Sequence, residues 1–207
     1  MVTGLRERRK QQTRQAISDI ATGLFVARGY DEVTISEVAA AAGVAKMTVT
    51  NYFPRKEDLV FDRAGAIIGH LAGVVAGRRS GESVLAAIRR DYAESVARAD
   101  VTLGLASPEF ARMTTGSPAL VSRGLEMLHH RELALASAIS ADTGADDVTA
   151  QLAAAQLASV HRVLYAEGVR RSLAGESRES ICAFLGAAAS RAFDALEPAL
   201  GSFGIRD

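Results

Sequence analysis

One stretch constrains the fold more than any other, because it encodes two short helices in close succession: residues 34–54, TISEVAAAAGVAKMTVTNYFP. Thr34 stands at the N-cap position of the first helix, and Glu37, three residues later, completes the pattern of a capping box. Val33 and Val38 flank this start at the spacing of a hydrophobic staple. Three signals therefore place the beginning of this helix at the same residue.

The second short helix follows after a single glycine turn. Gly43 ends the first helix after about two turns. The next helix is predicted from about Lys46 to Phe53, because Pro54 disfavours helical geometry at the residue before it. A short helix, a glycine turn and a second short helix together predict a helix-turn-helix.

The second of these helices carries an unusual polar face. Val49 and Phe53 are four residues apart and are predicted to face the core. The outward-facing set is then Lys46, Met47, Thr50 and Asn51. Thr and Asn have modest helix propensity, and a face that only meets solvent more often carries Glu, Lys or Gln. Short hydrogen-bonding side chains suit close approach to base edges, although the same residues could also line a solvated helix.

The rest of the chain shows amphipathic helical patterns and no convincing strand alternation, so the predicted class is all-α. The first helix carries apolar side chains at helical spacing from Ala16 to Phe25 and ends at Arg28, before Gly29. Its start falls within the basic segment at the beginning of the chain. Further helices are predicted over residues 57–77, 82–100, 107–114, 118–141, 147–173 and 177–197.

The charge of the chain is balanced in total but uneven along its length. Lys and Arg number 24, as do Asp and Glu, so the net charge is zero. The basic residues near the start are Arg6, Arg8, Arg9, Lys10 and Arg14, against Glu7 alone. This basic arm suits either a polyanion contact or a solvated terminus. The single Cys182 excludes an internal disulfide, and no apolar run is long enough to span a membrane. We therefore expect a cytoplasmic protein without membrane association.

The sequence resembles the TetR family of bacterial transcriptional regulators. The resemblance rests on residues 16–60, which read AISDIATGLFVARGYDEVTISEVAAAAGVAKMTVTNYFPRKEDLV. It implies a helix-turn-helix DNA-binding domain at residues 1–56, including the basic arm, and a larger helical ligand-binding and dimerisation domain at residues 57–207. The implied function is that of a homodimeric repressor, which binds a pseudo-palindromic double-stranded DNA operator and is released by a small-molecule effector.

The same resemblance implies which residues contact DNA. Thr34 would bond a backbone phosphate at the N-terminus of its helix, and Tyr52 and Lys56 would hold phosphates beside the recognition helix. The base contacts would come from Lys46, Met47, Thr48, Thr50 and Asn51. Lys suits guanine acceptors, Asn suits adenine, and Met or a Thr methyl suits the thymine methyl. The chain departs from the family pattern at Ala45, where Ser is frequent, and at Arg55, which follows Pro54.

The last two helices are candidates for a dimer interface, although they could instead belong wholly to a monomer core. The apolar stripe on the final helix comprises Ile181, Phe184, Leu185, Ala188, Ala192, Ala195 and Leu196. A ligand pocket is expected among the middle helices. Its candidate residues are His70, Phe110, Met113, His130 and Tyr165, which could equally be ordinary packing residues. His129 and His130 lie about 100° apart on a helix, so at most one of them faces inward.

The sequence contains no pattern typical of an enzyme. A paired-histidine metal motif, a glycine-rich phosphate loop and a nucleophile elbow are all absent from it. We therefore predict a regulator rather than an enzyme, with no cofactor and no metal. The alternatives are a helical interaction module and a regulator that has no small-molecule effector.

Overall fold

The computed structural model describes the backbone of residues 2–206, with the side chains of residue 4 and residues 6–206. The α-helices in this range are α1 (Val2–Arg28), α2 (Ile35–Ala41), α3 (Lys46–Tyr52), α4 (Ala64–Ala76), α5 (Val84–Ala97), α6 (Pro108–Gly116), α7 (Pro118–Thr143), α8 (Asp147–Leu173) and α9 (Arg178–Leu200). Two 3₁₀ helices cover Lys56–Leu59 and Val101–Leu103. These residues contain no strand, and the all-α class is confirmed.

The chain packs into two compact units. Unit 1 comprises the N-terminal part up to Ala64 together with Arg112–Arg123, and unit 2 comprises Gly65–Ala111 and the chain from Gly124 onwards. Helices α6 and α7 therefore contribute residues to both units. The functional division into residues 1–56 and 57–207 stays a prediction, and its outer ends, Met1 and Asp207, lie outside the described residues.

Unit 1 is built around the apolar face of α1. Ile17, Ala21 and Phe25 on this helix are buried, and the Phe25 ring lies 5.0 Å from that of Tyr30 in an edge-to-face arrangement. Helices α2 and α3 complete the core with Val38 and other buried side chains. Removing such apolar surface from water is the main favourable term in folding.

The predicted helix over residues 57–77 is wrong at its start, because the chain forms a 3₁₀ turn and then reaches α4 only at Ala64. Two tertiary hydrogen bonds explain the break. The Ser18 hydroxyl donates to the Leu59 carbonyl at 2.8 Å, and the Arg14 guanidinium donates to the Asp62 carbonyl at 3.3 Å. These carbonyls would otherwise accept bonds along a continuous helix. A contact distant in sequence thus replaces the local helical bond.

Unit 2 has a larger core, to which α5, α8 and α9 contribute most. Leu85 and Ile88 on α5, Leu157 on α8 and Leu185 on α9 are buried, together with Phe193. Predicted and observed bounds of α8 agree, and α9 continues three residues beyond its predicted end, through a proline in its last turn. Among the described residues, no helix is both long enough and apolar enough to cross a membrane.

The C-terminal segment is fastened to unit 2 by polar contacts. The buried Arg78 forms an ion pair with Asp142 at 2.5 Å and donates to the Gly204 carbonyl at 2.8 Å. The Gly81 amide donates to the Arg206 carbonyl at 2.7 Å, and the Arg206 amide donates to the Glu82 carbonyl at 3.3 Å. The segment after α9 is therefore an integral part of this unit.

Candidate nucleic-acid interface

The turn between α2 and α3 is set by a glycine and by local hydrogen bonds. Gly43 has φ = +65°, a conformation that residues with a Cβ rarely adopt. The Val44 amide then donates to the Ala39 carbonyl at 3.0 Å, and the Thr48 amide donates to the Ala45 carbonyl at 2.9 Å, which starts α3. Ala45 supplies no side-chain cap, so the first turn of α3 relies on backbone bonds and packing.

Helix α3 buries one face and exposes the other, as the residue spacing predicts. Val49 and Phe53 have at most 1% of their surface exposed, whereas Met47 has 69% exposed. Lys46, Thr50 and Asn51 are also exposed, and Thr48 and Tyr52 are half-buried. The two buried side chains anchor the helix, and the polar set lies on the outside.

The polar side chains of this face differ in their availability for a ligand. Within the described residues, the side chains of Lys46 and Asn51 form no hydrogen bond, so both can bind an external group without losing an internal one. The Thr50 hydroxyl instead donates to the Met47 carbonyl at 3.1 Å. This bond turns the oxygen towards the helix backbone, and the hydroxyl must rotate about χ1 before it can reach a base edge.

Thr34 forms the predicted capping box with Glu37. The Thr34 hydroxyl oxygen accepts from the Glu37 amide at 3.2 Å, and the Thr34 amide donates to Glu37 Oε2 at 2.8 Å. Arg28 adds an ion pair to Glu37 at 2.6 Å. The hydrogen bond from the Thr34 backbone, reinforced by Arg28, lowers the pKa of Glu37 to about 2. A phosphate that approached Thr34 would therefore compete with an ionised carboxylate already bound there.

Lys56, predicted to hold a phosphate, has internal partners. Its Nζ donates to the Tyr30 carbonyl at 2.5 Å and lies 4.2 Å from the centre of the Tyr30 ring. The Tyr30 hydroxyl donates to Glu57 at 2.9 Å, and burial together with this bond raises the pKa of Tyr30. In this structure Lys56 therefore ties the start of the 3₁₀ helix to the turn after α1.

Arg14 belongs to the basic arm by sequence but lies against the recognition helix. Its guanidinium donates to the carbonyl of Tyr52, the last residue of α3, and lies 4.2 Å from the centre of the Phe53 ring. A cation at a helix C-terminus satisfies an orphan carbonyl and matches the helix dipole. The sequence did not predict this positioning role, because nothing in a run of basic residues indicates that one of them, Arg14, bonds to another part of the same chain. The remaining basic residues of the arm, from Arg6 to Lys10, are exposed.

Comparison with known proteins identifies the family of this helix-turn-helix. Residues 17–62 match the family model described as bacterial regulatory proteins, tetR family. The helix-turn-helix segment of this chain is therefore similar to that of TetR-family regulators. The HTH-type transcriptional regulator TcmR of Streptomyces glaucescens is 27% identical over 205 residues, covering 95% of this chain and 88% of TcmR. Both matches are to regulatory proteins, and TcmR is described as a transcriptional regulator.

Solved structures of other proteins share the fold of this chain, and two of them illustrate the similarity. NalD, the secondary repressor of the MexAB-OprM multidrug efflux pump in Pseudomonas aeruginosa, aligns with a TM-score of 0.54 at 15% identity, over 89% of this chain and 97% of NalD. AlkX, a TetR family repressor from Dietzia sp. implicated in biodegradation of n-alkanes, aligns with a TM-score of 0.51 at 16% identity, over 89% and 98% of the two chains.

The residues predicted for a ligand pocket lie on four helices, α4, α6, α7 and α8. His70 bonds Asp91 at 2.8 Å, and this bond raises the pKa of His70. His130 is exposed, and Tyr165 has 40% of its surface exposed. Phe110 and Met113 on α6 are half-buried. Their roles in ligand binding stay predictions.

A second set of polar residues in unit 2 escaped the sequence analysis. His161 on α8 lies in edge-to-face contact with Tyr92 on α5, with ring centres 5.1 Å apart. Burial, together with the nearby Arg131, lowers the pKa of His161 to about 3. The available signal was an isolated histidine among apolar neighbours in SVHRVLY, which more often indicates an ordinary core residue. Across the described residues, no group of His, Cys, Asp and Glu side chains is arranged to hold a metal ion.

Proposed function

We propose that this protein is a ligand-responsive repressor, which binds a pseudo-palindromic operator as a homodimer in the cytoplasm and is released by a small-molecule effector. The observation that carries the proposal is the outward face of α3. Lys46 and Asn51 stand exposed on a helix whose opposite face is anchored by Val49 and Phe53. A rigid helix with unengaged polar side chains suits insertion into the major groove.

The proposed base contacts follow from side-chain chemistry. Lys46 donates to the O6 and N7 acceptors of guanine, and Asn51 makes a paired hydrogen bond with adenine. Met47 and the methyl group of Thr50 lie against a thymine methyl, with Thr48 at the edge of this set. These five residues supply the sequence preference.

The proposed phosphate contacts orient the protein on the duplex without reading its sequence. They come from Tyr52, Thr34 and Lys56, and from the exposed part of the basic arm. Binding requires Thr34 and Lys56 to exchange internal partners for phosphate oxygens, since Glu37 and the Tyr30 carbonyl occupy them in the structure. A charge-assisted bond to phosphate offsets the loss of an internal bond.

The proposed dimer interface is formed by α8 and α9. One face of each helix is buried in unit 2, as Leu157 and Leu185 show. The other face of α8 exposes apolar side chains: Val148 is 66% exposed, Leu152 59% and Val163 55%. Pairing of this face around a two-fold axis would remove it from water and place two α3 helices about 34–36 Å apart, in successive major grooves.

Release by an effector requires that the ligand bind more tightly to a conformation in which the recognition helices are wrongly spaced. Helix α7 supplies a continuous element for such coupling. Its first residues belong to unit 1, where Arg123 forms an ion pair with Asp58 at 2.9 Å, and its remaining residues belong to unit 2. A shift of α7 would therefore act on the segment that follows α3.

Selection of bound duplexes from a random DNA pool tests the proposal. We expect an inverted repeat, bound with a steep dependence on salt concentration. Asn51→Ala should relax the preference at an adenine and Lys46→Ala the preference at a guanine, each by about 1–3 kcal/mol. A pool without enrichment, combined with no binding at low salt, would refute the operator and favour an interaction module.

A further inference from the structure

In the described part of unit 2, five buried side-chain polar atoms have no hydrogen-bond partner, and two of them, Nε of Arg78 and of Arg89, belong to guanidinium groups that form ion pairs through another nitrogen. The other three belong to residues without such a pair. Nε2 of His161, the hydroxyl oxygen of Tyr92 and Nε of Arg131 each have less than 1 Å² of exposed surface, and none forms a hydrogen bond in the described structure. They come from three helices, α8, α5 and α7. Because buried polar atoms are nearly always bonded in native proteins, these three atoms, in residues that lie near one another, call for an external partner.

The surroundings of these atoms are aromatic. The ring centre of Tyr92 lies 5.1 Å from that of His161 and 6.1 Å from that of Phe193. The His161 and Phe193 centres are 6.4 Å apart, and all three pairs are edge-to-face. Tyr165, also on α8, is close enough to Arg131 for the two to influence each other's pKa. Flat apolar groups pack favourably against rings in this arrangement.

The charge of the cluster is incompletely balanced. The carboxylate that faces it, Asp91, bonds His70 on α4 at 2.8 Å. Arg131 forms no ion pair within the described part of the chain. Cys182 on α9 lies near the Tyr92 hydroxyl. A mostly buried guanidinium without an acid is unfavourable, so this cluster favours a ligand with negative charge.

We propose that Arg131, His161 and Tyr92 form the effector site and that the effector is a small molecule with one acidic group, a carboxylate or phenolate, on a flat aromatic body. The proposal rests on the proposed ligand response. The guanidinium pairs with the acidic oxygen, while the neutral imidazole and the phenol hydroxyl bond its neighbours. One uncompensated cation matches a single negative charge, whereas a phosphate dianion would leave charge unpaired.

Matched probes test the acidic group. The full-length protein is titrated calorimetrically with 1-hydroxy-2-naphthoate, anthracene-2-carboxylate and the neutral amide of each acid. We expect at least one acid to bind about tenfold or more tightly than its amide, because hydrogen bonds to charged groups are stronger than neutral ones. Equal binding of both acids and their amides, or no binding by either acid, would overturn the proposal.

Variants then locate the site. Arg131→Met should abolish the preference for the acid over its amide, whereas Arg162→Met, which replaces an exposed arginine on α8, should preserve the preference. Arg131→Met should also raise the melting temperature of the ligand-free protein, because it removes an unpaired buried cation. A lower melting temperature would assign Arg131 a structural role and refute the site. In either case, selection of an operator still tests the DNA-binding function separately.

Discussion

Arg14 offers the sharpest test of how unit 1 holds its recognition helix. The substitution Arg14→Met keeps an unbranched apolar stem and removes the guanidinium, which donates to the carbonyls of Tyr52 and Asp62 and lies over the Phe53 ring. Hydrogen bonds from a charged donor are worth about 1.5–3 kcal/mol, and a cation–π contact adds about 0.5–1 kcal/mol. Because the contacts share one group and Met retains part of the packing, we expect a loss of about 2 kcal/mol in the free energy of unfolding.

Two measurements distinguish this positioning role from a direct DNA contact. Urea denaturation gives the change in the free energy of unfolding, and the slope of log affinity against log salt concentration counts phosphate contacts. Arg14→Met should lower stability and operator affinity while leaving the salt slope unchanged. The control is Lys10→Met, on the exposed part of the arm, which should leave stability unchanged and reduce the slope by about one. A stable Arg14→Met variant with a reduced slope would show that Arg14 contacts phosphate and would refute the reasoning.

Three further predictions concern stability and assembly. The pKa of Glu37 is lowered to about 2, so the ionised carboxylate stabilises the folded protein above the unfolded value near 4.5, and this contribution is lost as the pH falls from 4.5 towards 2. Glu37→Gln should therefore flatten the pH dependence of the urea midpoint between these two values. An unchanged pH profile would contradict the role of Glu37. Gly104→Ala should destabilise the protein by about 2–4 kcal/mol, since Gly104 has φ = +83° and an added Cβ would lie 2.6 Å from the Tyr165 carbonyl oxygen. The control Gly144→Ala, at φ = +70° in open space, should cost only about 1 kcal/mol in chemical denaturation, and equal losses would refute the close approach. Leu152→Glu should convert the proposed dimer to a folded monomer in sedimentation analysis, because it places a charge on the exposed apolar face of α8, and an unaffected dimer would exclude that face.

The internal partners of Thr34 and Lys56 suggest that DNA binding rearranges side chains of unit 1 rather than its backbone. Glu37 and the Tyr30 carbonyl hold these two groups in the structure. The residues that supply these partners form further bonds, Glu37 with Arg28 and Tyr30, through its hydroxyl, with Glu57. The capping box therefore holds the start of α2 before DNA binds. A recognition helix α3 that follows an already fixed α2 needs less rearrangement on binding, which favours affinity.

Features that depend on neighbours in sequence were predictable for this protein. The capping box at Thr34, the left-handed turn at Gly43 and the end of α3 before Pro54 each follow from bonds or steric contacts within a few residues. The division of α3 into a buried face at Val49 and Phe53 and an exposed face follows from helical periodicity alone. The helix-turn-helix and its outward polar face were therefore accessible without a structure.

Features that depend on residues far apart in sequence were decided by the tertiary structure. Arg14 reaches Tyr52, and Ser18 reaches Leu59, so a residue of a basic run became a support for α3 and a predicted helix was interrupted. In unit 2 the fold placed His161 beside Tyr92 and gave Arg131 no acidic partner among the described residues, an arrangement that no local pattern encodes. Helix periodicity and caps arise from short-range bonds, whereas burial and the pairing of polar groups depend on which helices meet. Sequence patterns determined most of the helices of this protein, and packing determined where the predicted helix over residues 57–77 is interrupted and which polar groups found partners.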